Sequence, residues 1–170
     1  MIMDKLHKDK KVTFNKAKAK QVIGWCEYVD LPEWDIKGLV AKIDTGAKTS
    51  SLDVDHIELL PGRKMVKFNV VLSKHTKAKK VSICAKLSRI SKVKASPIHN
   101  EERFFVKTKL KLGEIEKEIE LNLIDRSNMV YRMLIGRSAI KNDFLVDAAR
   151  SHMLSPIKKK RRIQNKIGEK

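Results

Sequence analysis

Residues 39–47, Leu-Val-Ala-Lys-Ile-Asp-Thr-Gly-Ala, decide the fold, because an apolar run there ends on Asp44 and then turns sharply. The apolar run predicts a buried strand, and Gly46 permits a close backbone approach that a side chain would block. A carboxylate is therefore held on a tight turn at the edge of a hydrophobic core, where it could take part in acid–base chemistry. Turns of this composition are common and mostly structural. The segment by itself leaves open the alternative that Asp44 only caps the turn.

A second signal lies far downstream at residues 133–137, Met-Leu-Ile-Gly-Arg. Here too an apolar run ends on a glycine, Gly136. The residues that follow, 138–142, favour a short helix that could begin at Arg137. An acidic turn followed much later by an apolar-Gly element and a helix is more specific than either motif alone.

The two motifs, in this order, resemble the retropepsin-like aspartic proteases, in which Asp-Thr/Ser-Gly-Ala is paired with a later apolar-apolar-Gly element. The resemblance extends to a bacterial branch of that family, labelled ATP-dependent zinc protease and linked with RimK-type ATP-grasp ligases. It covers residues 22–154, nearly the whole of the expected folded part. The matching segments are 22–29, Leu31-Pro32, 41–52, Asp125-Arg126 with Met129, 133–137 and 144–147.

The resemblance implies a homodimer. Peptide hydrolysis by this route uses two carboxylates that share one proton, because two carboxylates about 3 Å apart cannot both ionise. The chain carries one Asp-Thr-Gly, so the second carboxylate has to come from a twin subunit. Asp44 is then the catalytic residue, and Thr45 braces the catalytic loop by reaching across to the partner. Gly46 completes the catalytic turn, and Ala47 lies at the floor of the substrate pocket.

Two arginines are candidates for substrate binding. Arg137 follows the glycine of the second motif, and Arg126 follows a predicted strand. A guanidinium near the site could hold an acidic side chain or a terminal carboxylate through two parallel hydrogen bonds. The alternative for each arginine is an internal pair with an aspartate that pins neighbouring loops together.

Alternating apolar and polar residues dominate the rest of the chain and predict β-strands. The alternation is clear in four segments, and Gly113 between the last two predicts a hairpin. Residues 88–102 lack periodicity and are predicted to form a surface loop. The expected fold is all-β with one short helix, in agreement with the small closed barrel of the retropepsins. The alternating segments are 66–72, 81–87, 104–112 and 115–123, and 144–146 is a further short strand.

Basic charge is concentrated at the two ends of the chain. Of the formal net charge of +18, residues 1–20 carry +5 and residues 155–170 carry +6. Both ends are poor in large apolar side chains, which predicts a mobile N-terminal arm and a disordered C-terminal tail around one domain at 21–154. The basic run at 158–162 could bind RNA, the ribosome or another polyanion electrostatically. Alternatively it only keeps the chain soluble.

Composition also limits the classes of protein to which the chain could belong. No apolar stretch reaches the length of a membrane span, and the N-terminus lacks the apolar core of a signal peptide, so a cytoplasmic protein is expected. Cys26 and Cys84 are expected to be free thiols, buried or half-buried. The sequence has no His-Glu-x-x-His and no Gly-rich phosphate loop, and Asp53, Asp55 and His56 are interpreted as a solvated strand edge rather than as metal ligands. Neither a metal nor another cofactor is therefore expected.

The leading hypothesis is a homodimeric aspartic peptidase that hydrolyses a peptide or isopeptide bond. Its substrate would lie in acidic, glutamate-modified tails if the link to ligases holds. The second hypothesis is a non-catalytic binding module with the same fold, recruited to ribosomes or RNA by its basic ends, or serving as a partner of an ATP-grasp ligase. The oligomeric state discriminates between them, because a strict monomer lacks the second carboxylate.

Overall fold

A computed structural model describes residues 19–62, 64–72, 80–94, 100–125 and 130–154, with the backbone alone for 92–94 and 100–101. The predicted C-terminal tail, 155–170, and all but two residues of the predicted N-terminal arm, 1–20, lie outside this part. The helix α1 spans Arg137–Ile140, and a 3₁₀ turn spans Pro32–Trp34. The strands are β1 (Gln21–Gly24), β2 (Cys26–Leu31), β3 (Ile36–Asp44), β4 (Ser50–Leu59), β5 (Met65–Val71), β6 (Lys80–Lys94), β7 (Asn100–Leu112), β8 (Ile115–Ile124), β9 (Met133–Gly136) and β10 (Phe144–Asp147).

The larger of the two described sheets turns back on itself. Its strand order is β2-β3-β9-β4-β5-β6-β7-β8, and the further pairings of β2 with β7 and β4 with β8 make it ring-like. The interior is apolar, with Leu52, Phe68, Val106 and Leu121 fully buried. The predicted all-β fold with one short helix is confirmed for the described residues. Alternation predicted these strands because one face of each lines a single core.

The predicted hairpin of β7 and β8 is also present. Leu112 pairs with Ile115 across a two-residue turn, in which Gly113 adopts φ +61°. That left-handed conformation favours glycine, so Gly113 sets the register of the hairpin.

One prediction is wrong in part, since residues 88–94 and 100–102 of the expected surface loop 88–102 are strands, while 95–99 lie outside the described residues. β6 continues to Lys94 and β7 begins at Asn100, and the two strands pair from Leu87 opposite Val106 out to Lys94 opposite Asn100. A register shift between Leu87 and Arg89 interrupts the alternation in β6, and the backbone hydrogen bonds of the ladder continue beyond it. A polar hairpin arm lacks the alternation from which strands are predicted.

The cysteines are free, as expected, but they differ in exposure. Cys26 is buried, and its pKa is raised chiefly by that burial and secondarily by the charge of Glu27. Cys84 is exposed on the outer face of β6, contrary to the prediction of a buried or half-buried thiol. Within the described residues, no helix has the length and hydropathy that crossing a membrane would require.

Glu27 joins the two ends of the domain. Its buried carboxylate accepts hydrogen bonds from the backbone N–H groups of Gly24 at 2.7 Å, Met153 at 2.9 Å and Leu154 at 3.3 Å. Burying a carboxylate is unfavourable unless it is hydrogen-bonded, and these three donors satisfy it. The segment 153–154 is thereby fixed beside the start of β2, while β1 pairs in parallel with β10.

We expect Glu27→Gln to lower the free energy of unfolding by about 1–3 kcal/mol. An amide keeps one oxygen acceptor but turns N–H donors toward backbone N–H groups, which leaves at least one of them unpaired. Urea unfolding measures the loss, and exposed Glu114→Gln is the control, expected to stay within about 0.5 kcal/mol of the wild type. A Glu27→Gln protein as stable as that control would contradict the role given to the carboxylate.

Candidate active site

The two sequence motifs meet where β3 and β9 end. These strands run parallel, with Ala41 opposite Met133 and Asp44 opposite Gly136. β4, which follows the Asp44 turn, pairs with the other edge of β9. β9 therefore lies between the two strands that flank the turn, and residues remote in sequence are neighbours in space.

The Asp44 side chain organises its own turn. Its Oδ1 atom accepts hydrogen bonds from the backbone N–H groups of Gly46 at 3.0 Å and Ala47 at 3.1 Å. Asp44 and Ala47 are half-buried, whereas Thr45 and Gly46 at the tip are exposed. The second oxygen, Oδ2, has no hydrogen-bond partner among the described residues. Capping the turn and acting on a substrate are thus compatible, because they use different oxygens of one carboxylate.

The start of α1 is bound to the residues after the turn. The N–H groups of Arg137 and Ser138 donate to the carbonyl oxygens of Ala47 and Lys48 at 2.9 and 3.0 Å. These loop carbonyls satisfy helix N–H groups that have no partner within the helix. The helix begins at Arg137 and is shorter than the predicted 138–142, because Lys141 adopts ψ 144° and Asn142 φ +76°, both outside the helical region.

The Arg137 guanidinium clamps the tip of the turn. Its Nη1 atom donates to the carbonyl oxygens of Thr45 at 2.9 Å and Gly46 at 2.7 Å. The internal role considered for this arginine therefore applies, with backbone carbonyls in place of an aspartate. Arg137 is also exposed, so a substrate can reach it. Arg126, the other candidate, lies outside the described residues.

We expect Arg137→Met to loosen the turn while the domain stays folded. Loss of the guanidinium removes both hydrogen bonds to the tip carbonyls, and a hydrogen bond from a charged group contributes about 1.5–3 kcal/mol. Amide hydrogen exchange at residues 45–47 should then become at least about tenfold faster. Arg150→Met, which removes an exposed guanidinium bound to Asp147, is the control and should leave exchange in the turn unchanged. Equal exchange in the two variants would contradict the clamp.

A cavity of about 430 Å³ opens beside the turn and is lined in part by Lys48, Thr49 and Ser50. Arg89 and Glu120 also line it, and Arg89 donates to Glu120 from Nε at 3.1 Å and from Nη2 at 2.9 Å. This hydrogen bonding from Arg89 lowers the pKa of Glu120, so the pair stays ionised and engaged. Lys48 is exposed and has no ionic partner among the described residues. The cation available to an anionic ligand in this cavity is therefore Lys48.

The interpretation of Asp53 and Asp55 as a solvated strand edge is wrong for Asp53. Asp53 is 3% exposed, and its Oδ2 atom accepts a hydrogen bond from Nη1 of Arg132. Asp55 pairs with Lys80 at 2.6 Å, and this hydrogen bond lowers its pKa. Sequence reasoning missed Arg132, although its position one residue before β9 marks it as close to the second motif. Among the described residues, no group of three or more His, Cys, Asp or Glu could hold a metal ion.

Comparisons with known proteins agree with this geometry. A family model described as RimB-like, retropepsin-like aspartic endopeptidase RimB, matches residues 22–156. Proteins named probable alpha-L-glutamate ligase from Desulfotalea psychrophila and Shewanella pealeana are 33% and 31% identical over 143 and 137 residues. These matches cover 83% and 79% of this chain but only 31% and 30% of the relatives' length. A crystal structure of a protein of unknown function from Legionella pneumophila has a TM-score of 0.67 at 27% identity, over 81% of this chain and 100% of that one.

Proposed function

Because the chain belongs to the RimB-like family of retropepsin-like aspartic endopeptidases, we propose that it is a homodimeric, cytoplasmic aspartic peptidase that hydrolyses a peptide or isopeptide bond. The Asp44 turn carries this proposal. One carboxylate oxygen is fixed by the N–H groups of Gly46 and Ala47, and the other has no partner among the described residues. Such a carboxylate is oriented and at the same time open to a reacting water.

In the proposed dimer the two Asp44 carboxylates share one proton. The ionised carboxylate removes a proton from water, whose oxygen bonds to the carbonyl carbon of the substrate, while the protonated carboxylate donates to the carbonyl oxygen. The C–N bond then breaks as the leaving nitrogen takes the proton that the first carboxylate removed from water, and the second carboxylate recovers its proton from the hydroxyl of the intermediate. The exposure of Thr45 and Gly46 at the tip supports such a dimer, because a twin subunit would cover backbone that one chain leaves open.

The proposed substrate is an acidic, glutamate-rich peptide. The curated relatives are named probable alpha-L-glutamate ligase, and a segment like this chain makes up about 30% of their length. A ligase that adds glutamate produces the kind of chain that a peptidase of this family could shorten. Exposed Lys48 beside the Asp44 turn supports the assignment, because an unpaired cation there favours an anionic substrate.

A cleavage screen tests the proposal. Synthetic glutamate oligomers with α-linked and γ-linked bonds are incubated with the protein, and products are identified by mass spectrometry, which separates peptide from isopeptide hydrolysis. Sedimentation velocity is measured in parallel. Cleavage by a dimer is expected, whereas a strict monomer at high concentration would overturn the two-carboxylate mechanism.

The second candidate is a non-catalytic module that recruits or assists an ATP-grasp ligase. One observation favours it: the segment that resembles this chain makes up only about 30% of each relative, and the relatives are much longer proteins named as ligases. Binding of the glutamate oligomer by a monomer, without cleavage, would support this candidate over the peptidase. The basic ends that could attach such a module to RNA or the ribosome lie outside the described residues, apart from residues 19 and 20.

A further inference from the structure

The face of the sheet that presents Asp44 also presents Arg132. Side chains of directly paired residues lie on the same face, and every second residue of a strand returns to that face. Asp44 is opposite Gly136 at the end of β9. Leu134 lies two residues before Gly136, and Arg132 lies four residues before it. Both therefore lie on the same face, progressively farther from the turn.

A row of paired residues extends this face across β4 to β8. Leu134 is opposite Ser51, and Ser51 is opposite Asn122. Asp53 therefore also lies on this face, two residues along β4. Outer-face residues of a ring-like sheet are usually exposed, yet Asp53 is 3% exposed and Asn122 is 6% exposed. Ser51, Leu134 and Arg132 on the same face are half-buried, so this part of the outer face is covered at Asp53 and Asn122 and partly open beside them; we call it the recess.

The recess contains two polar atoms without a partner. Arg132 donates from Nη1 to Asp53, but its Nε atom is buried and has no hydrogen-bond partner among the described residues. The Oδ1 atom of Asn122 is likewise buried and unpaired there. β9 and β8 flank β4, which places their backbones about 10 Å apart. The separation of the two atoms is therefore within the span of one substrate segment.

Buried polar atoms without a partner do not help the chain to fold. A buried donor or acceptor without a partner destabilises the native state, and buried polar groups in proteins are nearly always hydrogen-bonded. Leucine at position 122 would pack without that penalty. The pair of unpaired atoms, one a charged donor and the other an acceptor, is complementary to a ligand with a carboxylate and an N–H group.

We propose that Arg132 and Asn122 form a specificity subsite for an acidic peptide, with Nε of Arg132 donating to a substrate carboxylate and Oδ1 of Asn122 accepting from a substrate N–H. Asp53 positions the guanidinium by holding Nη1 and leaves Nε for the ligand. The arginine side chain is 15% exposed, so part of it reaches solvent on the face that carries Asp44. This inference rests on the proposed function, because it gives that site its substrate preference.

The test measures binding separately from cleavage. Asp44→Asn protein, which keeps the turn but cannot turn over its ligand, is titrated with N-acetylated, C-amidated α-hexaglutamate and with the matched hexaglutamine peptide. Added to this background, Arg132→Lys should raise the Kd for hexaglutamate at least about tenfold, because lysine keeps the charge but cannot make the same bond beside Asp53. The change for hexaglutamine should be smaller. Arg150→Lys is the matched control and should leave the Kd unchanged.

Asn122→Leu keeps the proposal falsifiable if the arginine variant folds poorly. The proposal expects a protein with an equal or higher urea midpoint and a Kd for hexaglutamate raised about threefold to tenfold. A lower midpoint would mean that Oδ1 serves the fold, and would overturn the subsite. An unchanged Kd in both folded variants, or equal losses for the glutamate and glutamine peptides, would overturn it as well. Failure of the wild-type protein to cleave, with binding that still depends on both residues, would overturn the peptidase and leave the subsite standing.

Discussion

Replacing Asp44 with asparagine is expected to abolish hydrolysis while the fold stays intact. The amide oxygen of asparagine can still accept the hydrogen bonds that Gly46 and Ala47 donate to Oδ1, so the turn should keep its shape. What the variant loses is the proton that two carboxylates would share across the dimer axis. We expect kcat/KM for a cleaved glutamate oligomer to fall by about 10³–10⁴-fold.

Asp35→Asn provides the matched control for this prediction. Asp35 precedes β3 at the end opposite to Asp44, its side chain is 91% exposed, and it makes a 3.6 Å ion pair with Lys37. Its replacement should change neither activity nor the dimer. Full activity in Asp44→Asn protein would remove Asp44 from the chemistry. Lost activity together with a lost dimer would mean that the carboxylate holds the subunits together rather than reacting.

Gly136→Ala is expected to have the largest effect on stability among the substitutions discussed. A Cβ at this position would lie 2.7 and 2.8 Å from the carbonyl carbon and oxygen of Thr49 and 2.9 Å from the carbonyl oxygen of Lys48. These are backbone atoms and cannot rotate away, so either β9 or the residues after the Asp44 turn must shift. We expect the free energy of unfolding to fall by about 3 kcal/mol, which corresponds to a Tm lowered by about 6–12 °C.

The same shift should disturb the site. The Gly136 N–H donates to Oγ of buried Ser50 at 3.0 Å, and the next residue, Arg137, clamps the tip of the turn. Displacing β9 would loosen both contacts, so activity should fall further than the loss of stability alone explains.

Gly38→Ala separates the steric effect from the conformational one. An added Cβ at Gly38 meets nothing within 4 Å, but the residue has φ +66°. Gly136 has φ −82°, which alanine adopts without strain. The control should therefore lose only about 1 kcal/mol, and activity should be kept. If both variants lost the same stability, the close packing of β9 against residues 48–49 would not be the reason for glycine at 136.

Most of the sheet could be predicted because alternation is a local signal. Val66, Phe68 and Val70 are each fully buried, as their spacing of two residues indicated. The same signal failed for residues 88–91, because a register shift between Leu87 and Arg89 breaks the alternation and these side chains are exposed or half-buried. There the strand is held by the backbone ladder and by contacts such as that of Arg89 with Glu120, which no local pattern of the side chains indicates.

The candidate site was predicted only in part. Asp44 and Gly136 were found because each ends an apolar run in a recognisable motif. Arg137 was identified, but its contact with the carbonyls of Thr45 and Gly46 could not be predicted. Every residue has a backbone carbonyl, so the sequence does not show which of them an arginine contacts. Arg132 was missed because an arginine before a short strand has no pattern of its own.

The sequence by itself determined the all-β fold, the position of the carboxylate on its turn and the family to which the chain belongs. The fold class and the turn follow from the spacing of apolar residues and glycines along short segments, and the family follows from the resemblance of the motifs at 41–52 and 133–137 to those of known members. Only the tertiary structure decided which polar side chains share a face with Asp44, and that Asp53 is buried against Arg132. The physical reason is that β4, β8 and β9 are brought together by pairing between remote segments, and burial depends on that pairing rather than on the residue type.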